Sequence, residues 1–147
     1  MGDPENDVRV RRAGAGDLEL ARRAVADVNG HASADREALA AFLGDEASYL
    51  LVAEVDAEAV GSLIGHRLPT PYAARPHLLL YEIDVLSAWR RKGIGRRLVE
   101  AFLEEARALD ARGAWVVTNR SNAAAMALYR ACGLTATAPD DVVSKLV

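Results

Sequence analysis

A chain of 147 residues with 51% hydrophobic and 27% charged side chains is long enough to bury a core and too apolar to remain disordered. Its net charge of −3 argues against nucleic acid as the main partner and suits a cationic substrate, and no apolar run has the length of a membrane span. A single cysteine, Cys132, excludes an internal disulfide and fits a reducing cytoplasm, while His31, His66 and His77 lack metal-ligand spacing, so no metal is expected.

The first residues, MGDPEND, are polar and acidic, unlike a signal or transit peptide, and residues 1–7 are expected to be disordered. Residues 8–12 alternate apolar and basic side chains and predict a first strand. Gly14-Ala15-Gly16 breaks it, and Asp17 is placed to cap a helix to about Gly30, apolar at Leu18, Ala21, Val25 and Val28. Ser33 should cap a second helix that buries Leu39, Phe42 and Leu43 and ends at Gly44. Residues 48–55 read as a strand, residues 56–59 as a four-residue turn, and residues 60–66 as the antiparallel partner. Residues 68–76 carry Pro69, Pro71 and Pro76, which predicts an extended arm: a wall for a substrate site, or a stiff surface loop.

The most informative stretch spans residues 78–109. Residues 78–86 form an apolar strand interrupted only by Glu82 and Asp84, which a period of two places on one face. Ile94, Leu98, Phe102, Ala106 and Leu109 then recur at helical spacing, and Gly113 ends that helix. Between them lies Arg90-Arg91-Lys92-Gly93-Ile94-Gly95-Arg96. Glycines at a helix entrance clear space in front of first-turn N–H groups that lack intrahelical partners, which suits a pyrophosphate. An ordinary strand-to-helix turn would also use such glycines. Neither G-x-x-x-x-G-K-[ST] nor G-x-G-x-x-G is present, which argues against a triphosphate P-loop and a dinucleotide fingerprint. Downstream, residues 114–118 predict a strand, and Ser121 or Asn122 caps a short helix through Ala131 that Gly133 ends. Leu134 starts a strand, Pro139-Asp140-Asp141 turns, and residues 142–147 form the last strand. The order β-α-α-β-β-β-α-β-α-β-β describes an α/β sandwich around a mixed sheet, in one domain over residues 1–147.

R-x-x-G-x-G after a strand resembles the acyl-CoA-binding motif of the GNAT N-acetyltransferase superfamily. A second segment agrees in register: Asn119 and Asn122, then Ala125, Leu128, Tyr129, Gly133 and Leu134 as A-x-x-L-Y-x-x-x-G-[FL]. The resemblance implies a GNAT-like mixed central sheet with helices on both faces and strands four and five splayed to admit acetyl-CoA. It implies that Arg90, Arg91, Lys92, Gly93, Ile94, Gly95 and Arg96 hold the pyrophosphate, with Asn119, Asn122 and Tyr129 as further coenzyme contacts. It also implies that backbone amides of Ile83 and Val85 meet the pantetheine arm, with Val85 stabilising the oxyanion, and that Tyr129 protonates the departing thiolate.

Tyr129 would otherwise be a core tyrosine, Asn122 a simple helix cap and Cys132 a small buried hydrophobe. A protonated amine must lose a proton before it attacks, so Glu82 or Asp84 is a candidate base, and either can bind an ammonium group. The alternative is a solvated sheet face. Residues 68–95 are most similar to type I aminoglycoside 3-N-acetyltransferases, through Leu68-Pro69, Ala74-Arg75, an aromatic-containing strand ending at Asp84, and R-x-x-G-I-G; Glu82 departs from that pattern. The implied acceptor is an aminoglycoside bound by Glu82, Asp84 and Tyr72. Another amine (a polyamine, an amino acid or a protein N-terminus) and a non-catalytic acyl-CoA-binding module are the alternatives, and a homodimer is compatible with each.

Overall fold

Five strands in the order β1-β2-β3-β4-β5 form one sheet in the computed structural model, which describes residues 7–135. They are β1 (Arg9–Arg12), β2 (Ser48–Val55), β3 (Glu58–Thr70), β4 (Ala73–Val85) and β5 (Gly113–Val116). The first four run antiparallel to their neighbours, and β5 joins β4 in parallel. Helices α1 (Leu18–Arg23) and α2 (Arg36–Gly44) cover one face, and α3 (Ile94–Ala108) and α4 (Ala123–Ala131) cover the other.

The alternation of β2 shows how sequence drives this arrangement. Leu50 and Val52 point to the α1–α2 layer, beside Leu20, Ala21, Ala24 and Leu39. Tyr49, Leu51 and Ala53 point to the α3 layer, beside Leu98, Val99 and Phe102. Helix α3 lies close against the sheet because β3 offers glycines beneath it. A Cβ on Gly65 would stand 2.5 Å from Phe102 Cε2, and one on Gly61 would stand 2.9 Å from Ile94 Cγ2.

Several expectations change. The turn after β2 contains only Asp56 and Ala57, both at positive φ, the geometry of a two-residue hairpin whose twist matches its strands. Asp17 does not cap α1 with its side chain; it accepts from Gly14 N–H at 2.8 Å and from Arg11 at 3.0 Å, which leaves Arg11 holding its carboxyl below the usual range. Asp35, not Ser33, caps α2, accepting from Ala38 N–H at 2.7 Å. The first helix is a 3₁₀ turn (Ala15–Asp17), then α1, then a π-helical turn (Ala24–Val28). Helix α3 ends at Ala108, and Gly113 opens β5 instead of closing the helix. The proline-rich stretch is no lone arm: it completes β3 and begins β4, with Thr70 paired to Ala73 across the tip. The turn at residues 139–141 and the strand at residues 142–147 lie outside the described residues.

Candidate active site

β4 carries the site, and one irregularity in it decides what faces where. Ile64 pairs with Glu82 and Gly65 with Leu80, so Tyr81 has no partner on β3 and forms a β-bulge. The bulge resets the alternation. Leu78 and Leu80 are buried on the α3 side, and beyond the bulge Ile83 and Val85 pack on that side. Glu82 and Asp84 thereby emerge on the opposite side, with Tyr81, whose ring meets His66 edge-on at 5.6 Å. The two acids do share a face, but not the one that carries Leu78 and Leu80.

Residues Asn29 and His31 reach these acids from the end of the π-helical turn, a feature found often at functional positions. Asn29 N–H donates to Ala24 C=O at 3.1 Å and His31 N–H to Val25 C=O at 3.0 Å, so the helix widens and then stops at Gly30, φ 79°. Asn29 is only 8% exposed. Its Nδ2 donates to Asp84 Oδ2 at 3.2 Å, and its Oδ1 is buried with no hydrogen-bond partner among the described residues. His31 Nε2 lies 3.0 and 3.1 Å from the two carboxylate oxygens of Glu82. Burial pushes the Asp84 carboxyl above its ordinary range; the Asn29 hydrogen bond opposes this, and the charge on Glu82 adds to it. Sequence reasoning missed Asn29 and His31, although Asn-Gly-His closing an apolar helix was a visible signal of polar groups beside a left-handed break.

On its other edge β4 parts from β5. Their pairing runs from His77 with Gly113 to Leu80 with Val116 and goes no further, so residues 82–85 stand beside a gap. Leu86 N–H donates to Val60 C=O at 2.9 Å, and antiparallel pairs alternate between bonded and non-bonded. Val85 and Ile83, opposite Gly61 and Leu63, are therefore non-bonded positions, and their backbone groups turn towards the gap. Arg90 Nε donates to the outward Val85 C=O at 3.1 Å. Tyr129 of α4 is 7% exposed, and its hydroxyl pKa is raised, first by burial and second by the charge on Asp84. Ile83 and Val85 border the gap and pack with the α3-side core that contains Tyr129, near enough to Asp84 for its charge to act on the hydroxyl.

The turn after β4 leads into α3. Arg91 and Gly93 take positive φ, 62° and 78°, and Gly93 occupies the helix N-cap position. The first intrahelical bond is Arg97 N–H to Gly93 C=O at 3.1 Å, which leaves the N–H groups of Ile94, Gly95 and Arg96 at the open end. A Cβ on Gly93 would meet nothing within 4 Å, so the space before those groups is clear. Gly95 serves packing: its Cβ would stand 3.3 Å from Leu128 of α4. Arg96 Nε is paired with Glu100 at 2.9 Å. Asn119 Oδ1 accepts from Ser121 N–H at 2.9 Å, and Asn122 Oδ1 accepts from Ala125 N–H at 3.1 Å, so both asparagines shape the loop and cap of α4. An open helix end, basic residues around it and a gap with outward amides fit a pyrophosphate joined to an extended arm.

Tyr72 is not part of this constellation. It sits at the β3–β4 tip, ten residues along an extended strand from Glu82, roughly 30 Å at ~3.3 Å per residue. Its ring instead lies under Arg112, 5.4 Å from the guanidinium carbon. The stretch 68–76 accordingly cannot wall a pocket floored by Glu82 and Asp84. No group of three or more His, Cys, Asp or Glu among the described residues is arranged to hold a metal ion. No helix among them is long and apolar enough to cross a membrane.

The sequence profile of the acetyltransferase (GNAT) family matches residues 18–134. No curated protein matches the chain significantly. Among solved structures, the aminoglycoside acetyltransferase meta-AAC0020 from an uncultured soil metagenomic sample superposes with a TM-score of 0.83 in its trehalose complex and 0.81 in its sisomicin complex. It is 24% identical over 99% of this chain and 98% of that one. A ribosomal-protein-alanine N-acetyltransferase from Brucella melitensis biovar Abortus 2308 has a TM-score of 0.72 at 23% identity, over 95% of this chain and 98% of that one. Aminoglycoside N-acetyltransferase AAC(6')-Iy in complex with CoA has a TM-score of 0.72 at 20% identity, over 94% of each chain. At these identities the likeness is one of fold.

Proposed function

The chain belongs to the GNAT acetyltransferase family, whose members use acetyl-CoA and an amine, and from that premise we propose that it acetylates a cationic small molecule, an aminoglycoside at its 3-N amine. The observation that carries this reading is the bulge-directed pair Glu82 and Asp84, set beside the gap together with the unpartnered buried Oδ1 of Asn29. A polycation that leaves water needs such acceptors for its N–H groups. The similarity of residues 68–95 to type I 3-N-acetyltransferases supports the acceptor class, as does the sisomicin complex of a fold relative.

When bound, acetyl-CoA supplies an acetyl group already activated as a thioester. The turn of Arg90, Arg91, Lys92, Gly93, Ile94, Gly95 and Arg96 would hold its pyrophosphate. Asn119 and Asn122 flank the coenzyme side of α4. Asp84 acts as the base: partial burial makes it a stronger proton acceptor than an ordinary carboxylate, and it stands within electrostatic reach of Tyr129. Glu82, the more accessible acid, anchors the ammonium group. Val85 N–H, turned into the gap, donates to the carbonyl oxygen as charge develops there, and Ile83 offers its backbone beside it. The Tyr129 hydroxyl, kept protonated by burial, holds the proton that a departing thiolate requires.

The test is a panel of amines with acetyl-CoA and a thiol-release readout, with the product's acetylated nitrogen located by NMR. Sisomicin and gentamicin-like acceptors should release thiol far above the hydrolysis background, with the acetyl group on the 3-amine. Release with polyamines or peptide N-termini alone would keep the transferase and discard the antibiotic acceptor. No thiol release with any amine would favour a non-catalytic acyl-CoA-binding module.

A further inference from the structure

The two acids of β4 are each met by a side chain from the same short stretch, and the two encounters differ in kind. Asn29 is neutral, 8% exposed and fixed on Asp84. His31 is ionisable and its side chain is 55% exposed, while the Glu82 side chain it meets is 25% exposed. A single ring nitrogen, Nε2, faces both Glu82 oxygens, at 3.0 and 3.1 Å. The residue follows Gly30 and its backbone N–H still donates to Val25 C=O at 3.0 Å, so its exposed ring can swing out while the backbone stays in place.

We propose that His31 is an internal stand-in for the acceptor's ammonium group: protonated, it occupies the anionic subsite at Glu82, and the acceptor binds by displacing it. This rests on Glu82 anchoring the acceptor. An ammonium that takes the place of the imidazolium finds the Glu82 carboxylate, with the Asp84 carboxylate two residues along the same face of β4, as acceptors for its N–H donors. A charged ring competes with a cationic acceptor for Glu82 and a neutral ring does not, so His31 lowers acceptor affinity at acid pH relative to a protein without it. Among the described residues, the other charged or titratable groups around the pair are Asp84 on β4, Arg90 in the following turn, Tyr129 on α4 and His66 on β3, which meets Tyr81. All of them remain in a His31 variant, so a difference between variant and wild type isolates His31.

The experiment is calorimetric titration of sisomicin and of spermidine into the full chain and into His31→Gln and His31→Ala, between about pH 5 and 8, the range in which imidazoles titrate. Wild-type affinity should rise with pH more steeply than that of either variant, by an extra two- to fivefold, roughly the factor an exposed ion pair supplies. At the acid end His31→Gln should bind more tightly than wild type. Equal pH slopes, or weaker binding by His31→Gln at every pH, would overturn the proposal, since the latter makes His31 a helper and not a competitor. Binding of spermidine without sisomicin would discard the aminoglycoside and leave the His31 result standing. Failure of both amines to bind wild type at the alkaline end would overturn both readings.

Discussion

At Asp84 three physical effects meet. Burial and the neighbouring charge of Glu82 disfavour its ionised form, and Asn29 partly restores it. A carboxyl whose folded pKa lies above its unfolded value contributes stability that is fully present below the unfolded pKa and is lost as pH rises through the folded one. Asp84→Asn should therefore raise the urea midpoint at neutral pH while it lowers acceptor turnover, with acetyl-CoA affinity unchanged. An unchanged turnover across the amine panel would remove Asp84 from the mechanism. Because Asn29 opposes the shift, Asn29→Ala should move the acid limb of the turnover profile to higher pH, measured under saturating acetyl-CoA; a limb that stays put would show that another group sets it. Tyr129 presents a simpler case. Tyr129→Phe keeps the buried ring and removes the proton donor, so turnover should drop by ~10²–10⁴-fold with coenzyme affinity preserved. Wild-type turnover in that variant would make Tyr129 a packing residue of α4 and nothing more.

Elements divide between those that local pattern specifies and those that pairing specifies. Helix α3 was legible because Ile94, Leu98, Phe102 and Ala106 sit on one stripe, and all four are buried. The α4 cap at Asn122 was legible for a similar local reason. The proline-rich stretch was misread because proline forbids helix but does not say what an extended chain pairs with; only the partner strand decides, and Thr70 meets Ala73. The bulge at Tyr81 was invisible to a period-two count, which assumes that alternation never restarts. Asn29 and His31 were invisible to it as well, since they approach the acids from over fifty positions away in the chain. At the coenzyme turn the two glycines separate by role. Gly95 faces Leu128, whereas Gly93 faces open space but holds φ 78°, so Gly93→Asp should lower the thermal midpoint through backbone strain without unfolding the protein, and should abolish acetyl-CoA binding, because it adds a carboxylate at the N-terminus of α3. Unaltered calorimetric affinity in a folded Gly93→Asp protein would end the pyrophosphate assignment.

On the scale of the molecule, the sheet joins two parts of unequal strength. Strands β2, β3 and β4 are bound by long antiparallel ladders, whereas β5 holds to β4 over four residue pairs, His77–Leu80 with Gly113–Val116, as few as join β1 to β2. Arg75 adds a clasp beyond the near end of that short ladder, donating to the Asp110 carbonyl at 2.7 Å, and Arg112 N–H donates to Pro76 C=O at 2.9 Å. The far end, past Leu80 and Val116, has no ladder at all. Amide exchange should reflect this: residues 114–116 should exchange before residues 50–52, which lie in the fully buried middle of β2. Equal protection would mean that the sheet opens only as one unit. The clasp at one end and the opening at the other make β4 and β5 the arms of a pair of tongs, pivoted near Arg75. Whatever is gripped between Val85 and Tyr129 bears on the long arm, where a small rotation at the pivot becomes the largest change in width. Tightening the grip therefore does not require a new contact in the gap; a stiffer Arg75–Asp110 clasp, far from any chemistry, would serve.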